Sequence, residues 1–258
     1  MKAIKFTLSG NTAFFKKPDV NTNVYFTFGH IHKIALLGLF GAALGYGGYI
    51  QKKWIGDNGN DKNKQLTQDE YPEFYEKLNG LNVSIVPTSN DGNENVYIPK
   101  KIHVFNKSTG TASDESGGNL IVREQWLDHP RWDIYVLLDC EEAEKLASAF
   151  KESKFVYYPY LGKNDHMANI VDVEIVAVDS VEPTTTKIDS LFVVSNTKIK
   201  QPSKEDYHKV YKYKEALPIR LNQFTNLYEY ETFCYTNCLV TVNNDNVYKA
   251  DNRTLMFY

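Results

Sequence analysis

At 258 residues the chain is long enough for one large domain or two small ones, with a sizeable buried core. Hydrophobic residues at 42% and charged residues at 24% exclude wholesale disorder. A net charge of −3 excludes a uniformly basic nucleic-acid binder, although it leaves room for a local basic face. The first ten residues, MKAIKFTLSG, hold no apolar run of the secretion-signal kind, and the expected location is cytoplasmic. Cys140, Cys234 and Cys238 are too few for a disulfide framework and read as reduced structural thiols.

Residues 2–8 alternate, with Ile4, Phe6 and Leu8 on one side and Lys5 and Thr7 on the other, which predicts a strand with one buried and one wet face. A loop over 11–30 leads into an uncharged stretch from Ile34 to Ile50 that carries five glycines. At seventeen residues it sits at the lower limit for a membrane span, and its Gly41-x-x-x-Gly45 spacing suits close packing. A helix over approximately 32–46, buried in the protein, is the preferred reading, with no membrane partner. Residues 56–70 are polar and turn-rich, a surface excursion. A short helix at 69–79 and a strand at 81–86 follow.

Val96–Phe105 and Asn119–Gln125 read as two extended runs around the low-complexity tip NKSTGTASDESGG, a long hairpin projecting from the body. Trp132–Leu138 alternates as a strand, and Asp139 with Glu142 has the spacing of a capping box. The helix it opens places Ala143, Leu146, Ala147 and Phe150 on one stripe. After the loop 157–169, Val171–Val178 alternates again. The order strand, helix, strand, hairpin, strand, helix, strand predicts an α+β fold: a ferredoxin-like βαββαβ sheet of the RNA-recognition-motif type, with helices on one face and the other face open. The palm spans 1–178, with the hairpin inserted at about 96–125, and 179–258 form a β-rich C-terminal extension packed on it.

The mean charge hides an asymmetry. Residues 1–56 hold seven Lys against one acid, residues 57–95 hold three Lys against eight acids, and residues 96–113 carry Lys100, Lys101 and Lys107 with no acid. Lysines interleaved with Phe14, Phe15, Tyr25, Phe26, Phe28, Tyr97 and Phe105 suit single-stranded RNA: ammonium groups neutralise phosphates and rings stack unpaired bases, worth about 1–3 kcal/mol each. The competing reading makes these lysines blockers of strand edges and the aromatics core. No P-loop, H-E-x-x-H or G-x-S-x-G motif is present. His30 and His32, two apart, are candidates for a solvated or phosphate-contacting role, and so is His103. His32 beside Lys33, or His103 near Lys101, are the nominal partners for metal-independent RNA cleavage.

KFTLSG…FFKKPDV followed by TFGHIHKIALLGLFGAALG resembles the start of the CRISPR-associated Cas-five family, particularly its type I-B branch. YPYLGKNDHMANI (158–170) resembles that family's Y-x-L-G-[KR] loop, and REQWLDHPRWDIYVLL resembles the strand after its hairpin insertion. The resemblance implies the subunit that caps the 5′ handle of CRISPR RNA in a Cascade surveillance complex for antiviral defence. The hairpin would act as a thumb, a backbone subunit and a large subunit would be the protein partners, and target DNA would be met only through the complex. RNA contacts are then expected at Lys5, Ser9, Gly10, Phe15, Lys16 and Lys17; at His30, His32 and Lys33; at Lys100, Lys101, His103, Lys107 and Arg123; and at Gly162, Lys163 and Asn164. No cofactor or metal is expected. One branch of the family cleaves repeat RNA with a Tyr and an adjacent Lys-His pair. Here Ile102 separates Lys101 from His103, so a non-catalytic subunit is expected, with a repeat-cleaving endoribonuclease as the alternative.

Overall fold

A computed structural model describes residues 1–19, 23–49, 71–89, 97–107, 120–182, 185–195, 197–203, 205, 207–242 and 246–258. The polar excursion 56–70, the hairpin tip and Val96 lie outside the described residues. Four strands, β1 (Lys2–Ser9), β3 (Val83–Pro87), β6 (Arg131–Leu137) and β7 (Asn169–Ala177), form one antiparallel sheet in the order β3-β6-β1-β7. Helices α1 (Lys33–Leu44) and α2 (Glu73–Leu78) fall between β1 and β3, and α3 (Glu141–Lys151) falls between β6 and β7.

The alternation in β1 holds. Ile4, Phe6 and Leu8 enter the main core with Trp132, Ile134, Val136 and the helices, whereas Lys5 and Thr7 turn to the opposite face. Phe6 packs on Phe150 at 4.9 Å and on Phe40 at 6.2 Å between ring centroids. Truncating such a ring, as in Phe150→Ala, costs about 3–5 kcal/mol. The stripe Ala143, Leu146, Ala147 and Phe150 is the buried face of α3, as its spacing predicts. Its cap differs from expectation: Cys140 is the N-cap residue with no side-chain bond, and Asp139 instead accepts from Asn82 at 2.7 Å.

Within the uncharged stretch the helix runs only to Leu44, twelve residues from Lys33, buried along Ile34, Leu36, Leu37, Leu39, Phe40, Gly41 and Ala43. No helix among the described residues is long and apolar enough to cross a membrane. Gly41 is required by packing, since a Cβ there would lie 2.4 Å from that of Phe74 on α2. Gly45 ends the helix in the left-handed region at φ 81°.

The face expected to be open is closed. Ala3, Tyr135, Leu137 and Val176 bury against Ala250, Leu255 and Phe257 of β15 (Val247–Ala250) and β16 (Arg253–Met256). Arg253 Nη1 donates to Asp133 at 2.7 Å, and Thr7 Oγ1 donates to the other Asp133 oxygen at 2.8 Å. Beyond β7 the described residues form three three-stranded antiparallel sheets, mostly of short strands, of which β12 (Lys212–Leu221) and β13 (Tyr228–Thr236) are the longest. Leu217, Leu221, Phe233 and Tyr235 from this region share the core of the N-terminal sheet. Cys234 and Cys238 are free and buried, and Cys140 is free and exposed.

The inserted hairpin pairs β4 (Lys100–Lys107) with β5 (Leu120–Asp128), starting and ending a few residues later than the sequence reading placed it. Its base is anchored. The short β2 (Thr12–Ala13) pairs with β5, and Tyr25 exchanges hydrogen bonds with Arg123 O (2.8 Å) and Gln125 N (2.9 Å).

Candidate nucleic-acid interface

A groove of about 680 Å³ runs along the outer side of α1. Ala35, Gly38, Leu39 and Ala42 form its floor, and small side chains at helical spacing keep it deep. A Cβ at Gly38 would meet nothing within 4 Å, so this glycine contributes space to the groove. Lys16 and the Gly162-Lys163 turn stand on one wall, with Tyr46, Tyr157, Tyr160 and Tyr228 around the rest. Tyr157 is 57% exposed and Tyr160 42%, so both rings present faces to solvent.

The turn that carries Lys163 is built by close approach. Gly162 sits at φ 87°, and a Cβ there would lie 2.1 Å from Phe14 O, so only glycine fits. Gly10 plays a similar part at the end of β1, where a Cβ would lie 2.7 Å from Leu161. Its neighbour Ser9 ends β1 opposite Arg131 and Asn169. Asn164 lies in the same turn as Lys163 and is exposed. Lys163 reaches Glu124 (3.3 Å) and Asp165 (3.2 Å), and lies 5.7 Å from the Phe105 ring centroid. Burial alone would lower its pKa, but those two carboxylates outweigh it and raise the value.

Beside that lysine, the hairpin base carries an aromatic stack. His103 lies flat on Trp126 at 4.0 Å, and His166 meets the same ring edge-on at 4.4 Å. Trp126 Nε1 donates to Glu124 at 2.9 Å, and Thr12 Oγ1 bonds His166 Nδ1 at 2.7 Å.

The remaining sequence candidates divide sharply. Lys16 stands 3.9 Å over the Tyr25 ring at the groove wall. Lys17 is bound by Glu215 at 2.5 Å, and the same carboxylate accepts from Gly29 N (2.7 Å) and the Tyr213 hydroxyl. Lys5 is held by Glu174 (2.7 Å) and Asp251 (3.0 Å) on the closed sheet face, away from the groove. Lys101 is held by Asp128 at 2.7 Å. Lys100 lies in a separate cleft, Arg123 is exposed on the hairpin opposite Val104, and the backbone of Lys107 ends β4.

Three expected contacts are core residues. Phe15 is 3% exposed and packs edge-on to Trp132 and His32, so it offers no free face. His30 is 2% exposed and accepts from Trp132 Nε1 at 3.1 Å. His32 is 4% exposed and caps α1, its Nδ1 accepting from Ala35 N at 3.2 Å. Burial lowers their pKa values to about 4 and about 3, so both rings are neutral near pH 7. The solvated histidine pair expected from the sequence is therefore a structural pair, and the helix start is satisfied by its own histidine. Lys33, the first residue of α1, has its pKa lowered to about 8 by burial and has no ion-pair partner among the described residues.

Sequence reasoning missed Tyr46, Tyr157, Tyr160, Tyr228, Glu124, Trp126 and His166. The run FVYYPY next to the Gly-Lys turn carries a signal for two of them, because tyrosines there are too many for one loop to bury. Nothing in the sequence near Tyr228 connects it to the groove. Among the described residues, no group of three metal-ligating side chains comes together.

The Lys16 ammonium, that of Lys163 shared with Glu124 and Asp165, and two exposed tyrosine rings around a small-residue floor can hold a strand that combines negative charge with planar groups. No protein-family model matches the chain, and no curated protein matches it. Solved structures do share its fold. A chain of a CRISPR RNA-guided surveillance complex aligns with TM-score 0.52 and 12% identity over 93% of this chain and 91% of its own. A CRISPR protein from Archaeoglobus fulgidus aligns with TM-score 0.53 and 12% identity over 99% of both chains. The protein thus has the mixed α/β fold, with antiparallel sheets and few helices, of CRISPR-associated proteins.

Proposed function

We propose that the chain is an RNA-binding subunit of a CRISPR effector complex, of the Cas-five kind, which caps the 5′ handle of CRISPR RNA. The observation that carries this reading is the groove over α1, where Lys16, Lys163 and the tyrosines meet beside the anchored hairpin. The fold shared with a surveillance-complex chain supplies its context. In this reading β1, β3, β6 and β7 with α1 and α3 are the ferredoxin-like palm, and β4–β5 is the thumb. Backbone and large subunits are the protein partners.

The subunit is read as non-catalytic. Two contacts support this: Lys101 is tied to Asp128 and His103 is stacked on Trp126, so each of the nominal pair is already engaged. The test is to purify the chain with its bound RNA and sequence the RNA at its 5′ end. A uniform repeat-derived 5′ terminus is expected, and heterogeneous cellular RNA would sink the assignment. Incubating the purified chain with repeat RNA in EDTA should leave the RNA intact, whereas cleavage would restore the endoribonuclease reading.

A further inference from the structure

The segment from Gly29 to His32 separates two concavities. His32 lines the groove over α1, and His30 lines a second cleft of about 340 Å³. This cleft opens between the strand that enters the hairpin, at Tyr97 and Lys100, and the start of β12, at Lys212 and Tyr213. We propose that it is a second ribonucleotide pocket, which takes one unstacked nucleotide with its base against Tyr97 and Tyr213 and its phosphate between Lys100 and Lys212.

Three observations carry this. The first is unbalanced positive charge. Lys100 and Lys212 have no ion-pair partner among the described residues, and desolvation holds the Lys100 pKa below the ordinary lysine range. The carboxylate that acts on Lys100 is Glu215, whose oxygens are already engaged by Lys17, Tyr213 and Gly29 N. An anion entering the cleft is the counter-charge that its own residues do not supply. The second is the aromatic wall. Tyr97 is 75% exposed at the mouth, and Tyr213, pinned at its hydroxyl, offers a fixed ring. Every nucleobase has a face that such rings can stack on. The third is size: the cleft sits at the small end of ligand sites, which run from about 300 to 1,000 Å³, and suits one nucleotide rather than a strand.

The cleft is closed at its back by contacts that fix its shape. A Cβ at Gly29 would lie 2.8 Å from the Tyr213 hydroxyl and 3.1 Å from Glu215 Oε2, so a larger residue there would displace the ends of those side chains. The His30 ring meets Tyr213 edge-on at 4.5 Å. The nucleotide can come from a free pool or from a bound RNA strand. The second source rests on the RNA-binding reading above, and the first does not.

The test uses the full chain in two arms. In the first, AMP and adenosine are titrated and followed by saturation-transfer NMR. In the second, a repeat RNA carrying 4-thiouridine at successive positions is cross-linked and the modified peptides are mapped. Saturable AMP binding, tighter than that of adenosine, is expected, with about a tenfold loss in Lys100→Ala/Lys212→Ala and none in Tyr160→Ala, which changes only the groove. Because Lys100 and Lys212 are exposed, that pair should retain the parental melting temperature, and Tyr97→Ala gives an independent variant. Cross-links at Tyr97 or Tyr213 make the strand the source, and AMP binding without them makes the free nucleotide the source. Cross-links confined to the groove, together with AMP binding that is absent or indifferent to the lysine pair, overturn the cleft while leaving the handle reading intact. Displacement of AMP by an acidic peptide at lower concentration also overturns it, because the cleft would then select carboxylates.

Discussion

Lysines stand on both sides of the four-stranded sheet, and they end up with opposite tasks. On the helix side, Lys16 and Lys163, the latter shared with Glu124 and Asp165, border a groove in which Tyr157 and Tyr160 face solvent. On the other side, Lys5 and Thr7 look equally available in the sequence, yet β15–β16 fold over them and Glu174, Asp251 and Asp133 occupy their polar groups. A lysine on an amphipathic strand is thus only half a statement. The other half is whether a carboxylate from far along the chain, here 169 and 246 positions away, neutralises it.

The largest expected effect lies on the groove side. Gly162→Ala must abandon φ 87° and clear Phe14 O, so it should destabilise the protein by about 3 kcal/mol or more. Thermal or urea melting reads this directly, and a loss below about 1 kcal/mol would show that the turn is not constrained.

Next comes acid. His30 and His32 titrate near 6.5 when unfolded and near 4 and 3 when folded, so the unfolded chain binds protons first. Their contribution is complete above pH 6.5 and is lost as pH falls towards those lower values, at about 1.4 kcal/mol per pH unit for each ring. His32→Asn keeps an N-cap acceptor and should flatten the dependence of unfolding free energy on pH between 6.5 and 4. An unchanged slope would mean that the ring is not the buried titrating group.

Smaller still is the closed face. Arg253→Ala leaves the buried Asp133 without its guanidinium and should cost about 1–2 kcal/mol, discounted for the third of the Arg253 side chain that is exposed. RNA affinity should not change, and a parallel loss of RNA binding would erase the distinction between the faces.

The finest test is electrostatic. Lys16→Ala with Lys163→Gln should weaken binding of repeat RNA and flatten log K against log salt by about 0.7 for each phosphate contact removed. Lys5→Ala should leave that slope unaltered. If Lys5 carries the slope and the groove pair does not, the two faces have been assigned the wrong way round.

Much of the fold is legible because its signals are local. The alternation in β1 and the stripe of α3 need only neighbours two to four positions apart, and the glycines of α1 announce close packing before any partner is known. The Gly-Lys loop at 162–163 is marked in the sequence only by the resemblance of YPYLGKNDHMANI to a family loop. The histidines are not legible, because a His-x-His-Lys string before a helix reads the same whether solvent or Trp132 waits beyond it.

The sequence by itself determined the main strands and helices up to Val178 and that the positive charge gathers in the first fifty-six residues and the hairpin. Only the tertiary structure decided which charges remain available and which rings remain bare. Those properties depend on contacts such as Lys17 with Glu215 and Lys5 with Asp251, between residues that the chain keeps far apart. Electrostatic compensation and burial act through space over a few ångströms, and a one-dimensional pattern holds no measure of that distance.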